Sequence, residues 1–585
     1  MAAPSLVSPS GQPVLAHRNS QPLSLHGVFK SRLLCAAVAL ILTPPVYAQA
    51  TRLIDPVDPA YRDLRLLIDV GLINRLSLAQ RPLSRAAFAH ALEEASRNLI
   101  RRRAVGLPTL AGGPRAPDET QLAFFGEVIQ SLRNRLNLPD SSPPNERLTP
   151  ELAPLRTFSI DVSSTDQPSR LIPRDNGLGG IDGRLNTLLF NRQGEPSIDG
   201  TSALVESYHT FESNYVALSL TPQFSFVSPS DSAGRGALRL QEADLRLLLR
   251  NVAIDVGREY VVWGQGRDVG MLNSNNSPPL DQIQLSSDEP FSFPWIFRQL
   301  GPTRLSFFFA DLGADQNFPH AYAIGYRGSI VPTDYLELGA SVYTKAGGKG
   351  APPATTTARL IDLLPFLDAS AYNNVFGARG NFQFSDHYAG FDGRLRLPSL
   401  GTSFYWEVLL NDFDVRRLGS VFWDDAGHVF GFDLPRLSSS GRLQASLEYH
   451  HTGLRYYEHE QFISGQTVHQ TLTGDPLGPN AQGVYANLDW YASLQRRLGL
   501  QLALERRSND QYAFVPEPHY GFTIKEHRPK EWTGRALANW QLLPERQQIG
   551  TLLQFGYART RNFDFASADD RNGFLGRVAL EYRFR

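Results

Sequence analysis

From Leu155 to the C-terminus polar and apolar residues alternate with a period of two. Ala243, Leu245, Leu247 and Leu249 are interleaved with Asp244, Arg246 and Leu248, and Leu500, Leu502 and Leu504 with Gln501, Ala503 and Glu505. Leu443, Ala445, Leu447 and Tyr449 repeat the theme, and the last strand places Phe574, Gly576, Val578, Leu580, Tyr582 and Phe584 at every second position. Successive side chains of a strand point to opposite faces, so each segment predicts one oily and one wet face. A soluble sandwich would have to bury every oily face against a second sheet, and turn signals recur here over far more chain than one sandwich uses. Closure in lipid needs no second sheet. The pattern predicts a mostly β, transmembrane antiparallel β-barrel over residues 155–585. At roughly 10 residues per tilted strand, that length holds about 16 to 18 strands.

The N-terminal part changes period. Over residues 51–137 apolar positions recur three and four apart. Tyr61 to Val70 stops at Gly71; Ser84 is placed to cap a helix with Phe88, Ala91, Leu92, Ala95 and Leu99 on one face; Leu122, Phe125, Ile129, Leu132 and Leu136 make a third stripe. These stripes predict a small N-terminal helical bundle that buries its own core or caps the barrel. The segment 138–154 is polar and proline-rich, a linker.

Composition narrows the class. With 57 Lys plus Arg against 58 Asp plus Glu, no basic surface drives nucleic-acid binding. A hydrophobic content of 42% is low for a helical membrane protein yet suits alternating strands. The one cysteine, Cys35, lies in the run LLCAAVALIL, preceded by Lys30 and Arg32 and followed by Ala48-Gln49-Ala50. Residues 1–50 therefore read as a cleaved signal peptide, because the apolar run is too short for about 30 Å of hydrocarbon. Cleavage leaves no cysteine for a disulfide, a thiolate metal site or a nucleophile.

The densest chemistry lies between Gly257 and Leu285, GREYVVWGQGRDVGMLNSNNSPPLDQIQL, where a strand-like Val261-Val262-Trp263 runs into glycines, asparagines and two prolines. Aromatic faces stack on pyranose rings, and planar amides, carboxylates and guanidiniums satisfy sugar hydroxyls. Arg258, Trp263, Arg267, Asn273, Asn275, Asn276 and Asp281 are accordingly the candidate glycan-binding residues. The bland alternative is that Trp263 belongs to an interfacial aromatic girdle and the loop only caps a hairpin. His450, His451, Glu458, His459 and Glu460 invite a metal reading, but neighbours in a strand face opposite ways, so no metal site is expected. No nucleophile elbow or zincin spacing is present, and no catalytic residue or cofactor is expected.

The Gly257–Leu285 segment resembles the WG-G turn and asparagine-proline loop of the capsule assembly protein Wzi family. Three further stretches are similar to the same family: LRLLIDVGLINRLSLAQRPLSRAAF from Leu64, WIFRQLGPTRLSFFFADL from Trp295, and YYEHEQFISGQTVHQTLTGDPLGPNAQG from Tyr456. The resemblance implies an outer-membrane barrel with the upper strand number, 18, whose 51–137 helical bundle is periplasmic, and which binds capsular or extracellular polysaccharide and helps attach or assemble it at the cell surface. It further implies a non-enzymatic monomer, outer-membrane lipids and a polysaccharide exporter as partners, and no nucleic acid. A porin or sugar-uptake channel is the alternative on the same barrel. The terminal Arg585 departs from the aromatic last residue usual in such barrels, since Phe584 stands one place early.

Overall fold

The structure, a computed structural model, describes residues 50–105, 118–138, 150–172, 177, 179–195, 198–267, 270–363, 384–397, 400–411, 422–515, 521–543 and 549–584. The expected leader, with Cys35, lies outside the described residues, as does most of the linker.

Alternation closes into one sheet. The strands are β1 (Glu151–Thr165), β2 (Gly200–Glu212), β3 (Val216–Pro229), β4 (Arg235–Leu249), β5 (Val252–Glu259), β6 (Leu280–Ser287), β7 (Thr303–Asp311), β8 (Tyr322–Thr333) and β9 (Leu336–Ala346). There follow β10 (Ser385–Leu397), β11 (Thr402–Asn411), β12 (Ala426–Leu434), β13 (Leu443–Thr452), β14 (Ala481–Tyr491), β15 (Arg496–Arg507), β16 (Glu531–Leu542), β17 (Ile549–Arg561) and β18 (Arg571–Arg583). All 18 form a closed barrel in which each strand pairs with its neighbour in sequence. The seam pairs β18 with β1 antiparallel, from Leu575 opposite Thr165 to Arg583 opposite Thr157. Strand pairing starts at Glu151, inside the segment expected as linker.

The two faces divide as the alternation predicts. Leu500, Leu502 and Leu504 are exposed on the outer wall, while the alternate residues Ala503 and Glu505 are buried inside. Brief turns such as Ser213–Tyr215 and Arg250–Asn251 lie at the end that holds both barrel termini; long connections such as 260–279 and 453–480 lie at the other. In outer-membrane barrels the short turns face the periplasm, which orients the molecule.

Three helices, α1 (Ala60–Asp69), α2 (Arg85–Val105) and α3 (Glu119–Leu136), sit at the periplasmic end. The Ser84 hydroxyl accepts the Ala87 N–H (3.1 Å) and the Asp118 carboxylate accepts the Gln121 N–H (2.8 Å), so both longer helices start on side-chain caps. Leu64, Leu67, Phe88, Leu92, Phe125 and Leu132 share one buried core. Each such side chain contributes roughly 1.5–3 kcal/mol by leaving water.

Polar contacts fasten this domain to the inner wall. The Asp63 carboxylate on α1 takes Arg135 of α3, Arg497 of β15 (2.6 Å) and the Tyr491 hydroxyl of β14 (2.7 Å). Asp69, at the other end of α1, accepts from Arg394 of β10 (2.9 Å) and Ser403 of β11 (2.9 Å). Burial alone would raise the Asp63 carboxyl, but the Arg497 and Arg135 guanidiniums hold it below the usual carboxylate value. A lowered folded value makes this contribution complete above the unfolded carboxylate pKa of about 3.9, and the contribution is lost as pH falls through the folded one. Replacing Asp63 with Ala leaves two buried guanidiniums unpaired, at a cost of about 3–5 kcal/mol. Limited proteolysis of the Asp63→Ala protein should cut the helical domain at neutral pH, while the unaltered protein becomes comparably sensitive only in acid.

Candidate functional site: the filled lumen and the surface above it

The connection between β5 and β6 does not project from the barrel. It turns inward, because its backbone finds partners there. Val262 and Trp263 pair with Arg81 and Gln80 as a two-residue ladder, and the Gly264 N–H donates to the Ala79 carbonyl (3.0 Å). Carboxylates on the inner wall take further donors: the Met271 N–H donates to Glu407 (2.8 Å), the Arg267 N–H to Glu448 (2.7 Å), and the Gln265 amide to Glu337 (2.7 Å) and Asp392 (2.9 Å). Arg65 of α1 donates to the carbonyls of Gln265 (3.1 Å) and Gly266 (3.1 Å), joining the loop to the helical domain.

Two other outer connections lie over this loop. The Ser274 N–H donates to the Thr473 carbonyl (2.8 Å), the Asn276 amide to Leu472 (2.9 Å), and the Gln193 N–H to the Asn275 carbonyl (2.8 Å). Tyr456 reaches the Met271 carbonyl (3.2 Å), and Tyr457 donates to the same oxygen. The lumen is thus occupied by hydrogen-bonded chain from the helical domain to the outer loops.

Five of the seven candidate glycan residues belong to this packing. Trp263 is 4% exposed and lies against Phe308 of β7 at a centroid distance of 5.1 Å. Gly325 of β8 makes the space, since a Cβ there would overlap both rings. Asn273, Asn275 and Asn276 are buried, and Arg267 reaches across the lumen to Asp489 of β14. Arg258 and Asp281 stand apart from the others: they face outward from β5 and β6 and form a two-pronged ion pair (2.7 and 2.7 Å). The seven candidates are therefore divided between the lumenal packing and the outer wall. The loop that carries tryptophan and asparagine is held inward by the 80–81 ladder, by lumenal carboxylates that accept from Gln265, Arg267 and Met271, and by the 453–480 connection that accepts from Ser274 and Asn276. Direct stacking of a sugar on Trp263 is sterically closed in this conformation.

Two of the cavities among the described residues lie beside the packed loop. One of about 210 Å³ is lined by Arg192, Arg267, Asn275, Asn487, Gln501 and Asn539 among others. Within it, the Asn275 Oδ1 atom is buried without a hydrogen-bond partner among the described residues. The other, of about 600 Å³, runs along β1–β4 and β18 and is bounded by Arg52, Asp55, Gln193, Glu242, Tyr260 and Arg583. The Gln241 amide donates to the Gln193 carbonyl (3.0 Å) and bonds the Tyr260 hydroxyl (3.0 Å) at its outer limit.

Above the packing, the outer surface carries exposed polar side chains that local patterns did not single out. His469 pairs with Asp315 (2.8 Å), the Arg184 guanidinium donates to Gln470 (3.0 Å), and His320 pairs with Asp311 (2.8 Å). Each pair except the last joins residues of different connections, so no spacing along the chain announces it. The expected split of His450 and His451 is present: His450 turns inward to Asp475 (2.5 Å), and His451 faces outward beneath the Trp423 carbonyl (2.9 Å).

A closed 18-strand β-barrel with an apolar outer wall and an interior filled by its own chain is an integral outer-membrane protein of the occluded kind. Residues 181–573 match the capsule assembly protein Wzi family, and the chain belongs to that family. Among solved structures, Wzi of Escherichia coli, an outer-membrane carbohydrate-binding β-barrel involved in group 1 capsule assembly, is 18% identical, with a TM-score of 0.61 over 92% of this chain and 100% of that one. OprD of Pseudomonas aeruginosa is a looser likeness, 8% identical with a TM-score of 0.37 over 74% of this chain and 96% of that one. An uncharacterized 55.8 kDa protein from the cps region of Klebsiella pneumoniae is 26% identical over 154 residues, 26% of this chain and 29% of the relative's own length.

Truncating Trp263 to Ala opens a void against Phe308 that should cost about 3–5 kcal/mol. Heat-modifiable migration on gels should then convert to the unfolded form at lower temperature, with the barrel still forming in the membrane.

Proposed function

We propose that this protein holds an exported capsular or extracellular polysaccharide at the cell surface by binding it, without turning it over. The observation that carries the reading is the filled lumen: a barrel whose interior is hydrogen-bonded chain offers a fixed outer surface instead of a pore. The exposed groups of that surface, Arg184, Asp315, His469 and Gln470, have the charge and hydrogen-bonding capacity that sugar hydroxyls and uronates require. In this reading Trp263, Arg267, Asn273, Asn275 and Asn276 act as positioning residues that keep the surface in shape, and Arg258 with Asp281 braces the rim. Each sugar contact is weak, and a repeating polymer sums many of them. The protein works as a monomer beside a polysaccharide exporter and needs no cofactor. The carbohydrate binding and capsule role of the Escherichia coli barrel, and the cps-region origin of the Klebsiella relative, favour the same assignment.

The channel reading has one observation on its side, the 600 Å³ cavity along β1–β4. Planar bilayers separate the two. The purified protein should give no stepwise conductance, and Arg184→Ala with His469→Ala should reduce retention of surface polymer several-fold while heat-modifiable migration stays unchanged. Steady conductance together with undiminished retention in the double variant would favour the channel instead.

A further inference from the structure

Register aligns a row of side chains on the outside of the barrel. His428 of β12 lies opposite His451 of β13, His451 opposite Gln482 of β14, and Gln482 opposite Arg506 of β15. The row continues with Arg506 opposite Trp532 of β16 and Trp532 opposite Arg561 of β17. Register partners share a face of the sheet, and the alternate residues His450, Arg507 and Glu531 are buried inside, so the row looks outward.

Its height is fixed by what lies beneath. Two residues further toward the periplasm, the same face carries Tyr449, Val484 and Leu504, the last two well exposed on the lipid wall. The row therefore stands where hydrocarbon gives way to the headgroups of the outer leaflet.

Three arginines near the outer ends of strands are paired with acids: Arg258 with Asp281 (2.7 Å), Arg559 with Asp570 (3.7 Å) and Arg571 with Asp569 (2.8 Å). Arg506 and Arg561 make no ion pair among the described residues, and Arg506 instead lies 6.0 Å from the centre of the Trp532 ring. Trp532 is 42% exposed between them. Strands are spaced about 4.8 Å apart, so the backbones that carry these two arginines, on β15 and β17, stand roughly 10 Å from each other. At the other end of the row Phe422 and Trp423 fold over the histidine pair, with the His428 Nε2 2.6 Å from the Phe422 carbonyl.

We propose that the outer face of β14–β17 is a seat for the phosphorylated disaccharide headgroup of the outer leaflet's glycolipid, with Arg506 and Arg561 each holding a phosphate. Guanidinium forks match phosphate oxygens in pairs, the exposed face of Trp532 carries a sugar ring between them, and Val484 and Leu504 receive the acyl chains below. This contact is with the membrane and is independent of any polymer held above it.

The test uses the full-length protein in mild detergent, washed free of loose lipid and read by native mass spectrometry after addition of defined lipids. Bisphosphorylated lipid A should be retained, the monophosphorylated form less, and phosphatidylglycerol least. Arg506→Gln with Arg561→Gln should lower lipid A retention about ten-fold or more, and Arg506→Lys with Arg561→Lys should restore part of it. Heat-modifiable migration confirms that each variant is a closed barrel before its lipids are counted; Trp532→Ala, which leaves both charges, should lower retention by a smaller factor. Equal lipid A retention by the protein and its glutamine variant would overturn the proposal. Equal retention of phosphatidylglycerol and lipid A would overturn the glycolipid assignment.

Discussion

No water is present in hydrocarbon to take up a free backbone N–H or carbonyl, so a strand can cross a bilayer only if both of its edges are paired. Closure of β18 against β1 meets that requirement here, and the rest of the architecture follows from it. A closed sheet has one face in lipid, which must be apolar, and one face around an enclosed space, which is free to be polar. The alternation visible along the sequence is the trace of this division. The enclosed face holds the buried Glu337, Asp392, Glu407 and Glu448 and the half-buried Asp489, and carboxylates taken out of water demand donors. Donors come from the chain itself, from α1 below and from the connection between β5 and β6 above.

That reasoning separates what could be read in advance from what could not. A period of two and a period near 3.6 are local properties, so the strands, the three helical stripes and the aromatic last strand were legible from neighbouring residues. The direction of the Tyr260–Pro279 connection was not. Glycine, asparagine and proline suit an exposed loop and an inward one equally, because they describe how the backbone turns and not where it goes. The deciding partners are remote: Glu407 lies 136 residues from Met271, and Asp489 lies 222 residues from Arg267. A lone carboxylate at a lumenal position of a strand was the available signal, but nothing local says which donor it will meet. Trp263 illustrates the ambiguity, since a ring that stacks on sugar and a ring that fills a core have the same sequence context.

An interior packed this way alters how the outer surface behaves. A loop free in solvent would have to be ordered each time a polymer docked, at a cost in conformational entropy. Here Asn275, Asn276 and Ser274 fasten the connections to one another beforehand, so the groups above them are already placed. Such preorganisation suits weak, repeated contacts, where each site has little energy to spare for ordering itself. The outer wall is organised by a different rule: charges there are paired or aimed at headgroups, and the hydrocarbon-facing positions are left to leucine, valine and phenylalanine.

The ladder that joins Gln80 and Arg81 to Val262 and Trp263 ties the helical domain, which enters from one mouth of the cylinder, to a connection that enters from the other. Arg65 repeats the tie at the carbonyls of Gln265 and Gly266. The two openings are thereby joined by one strut of hydrogen-bonded chain, along which a load on the outer connections is carried to the helices below.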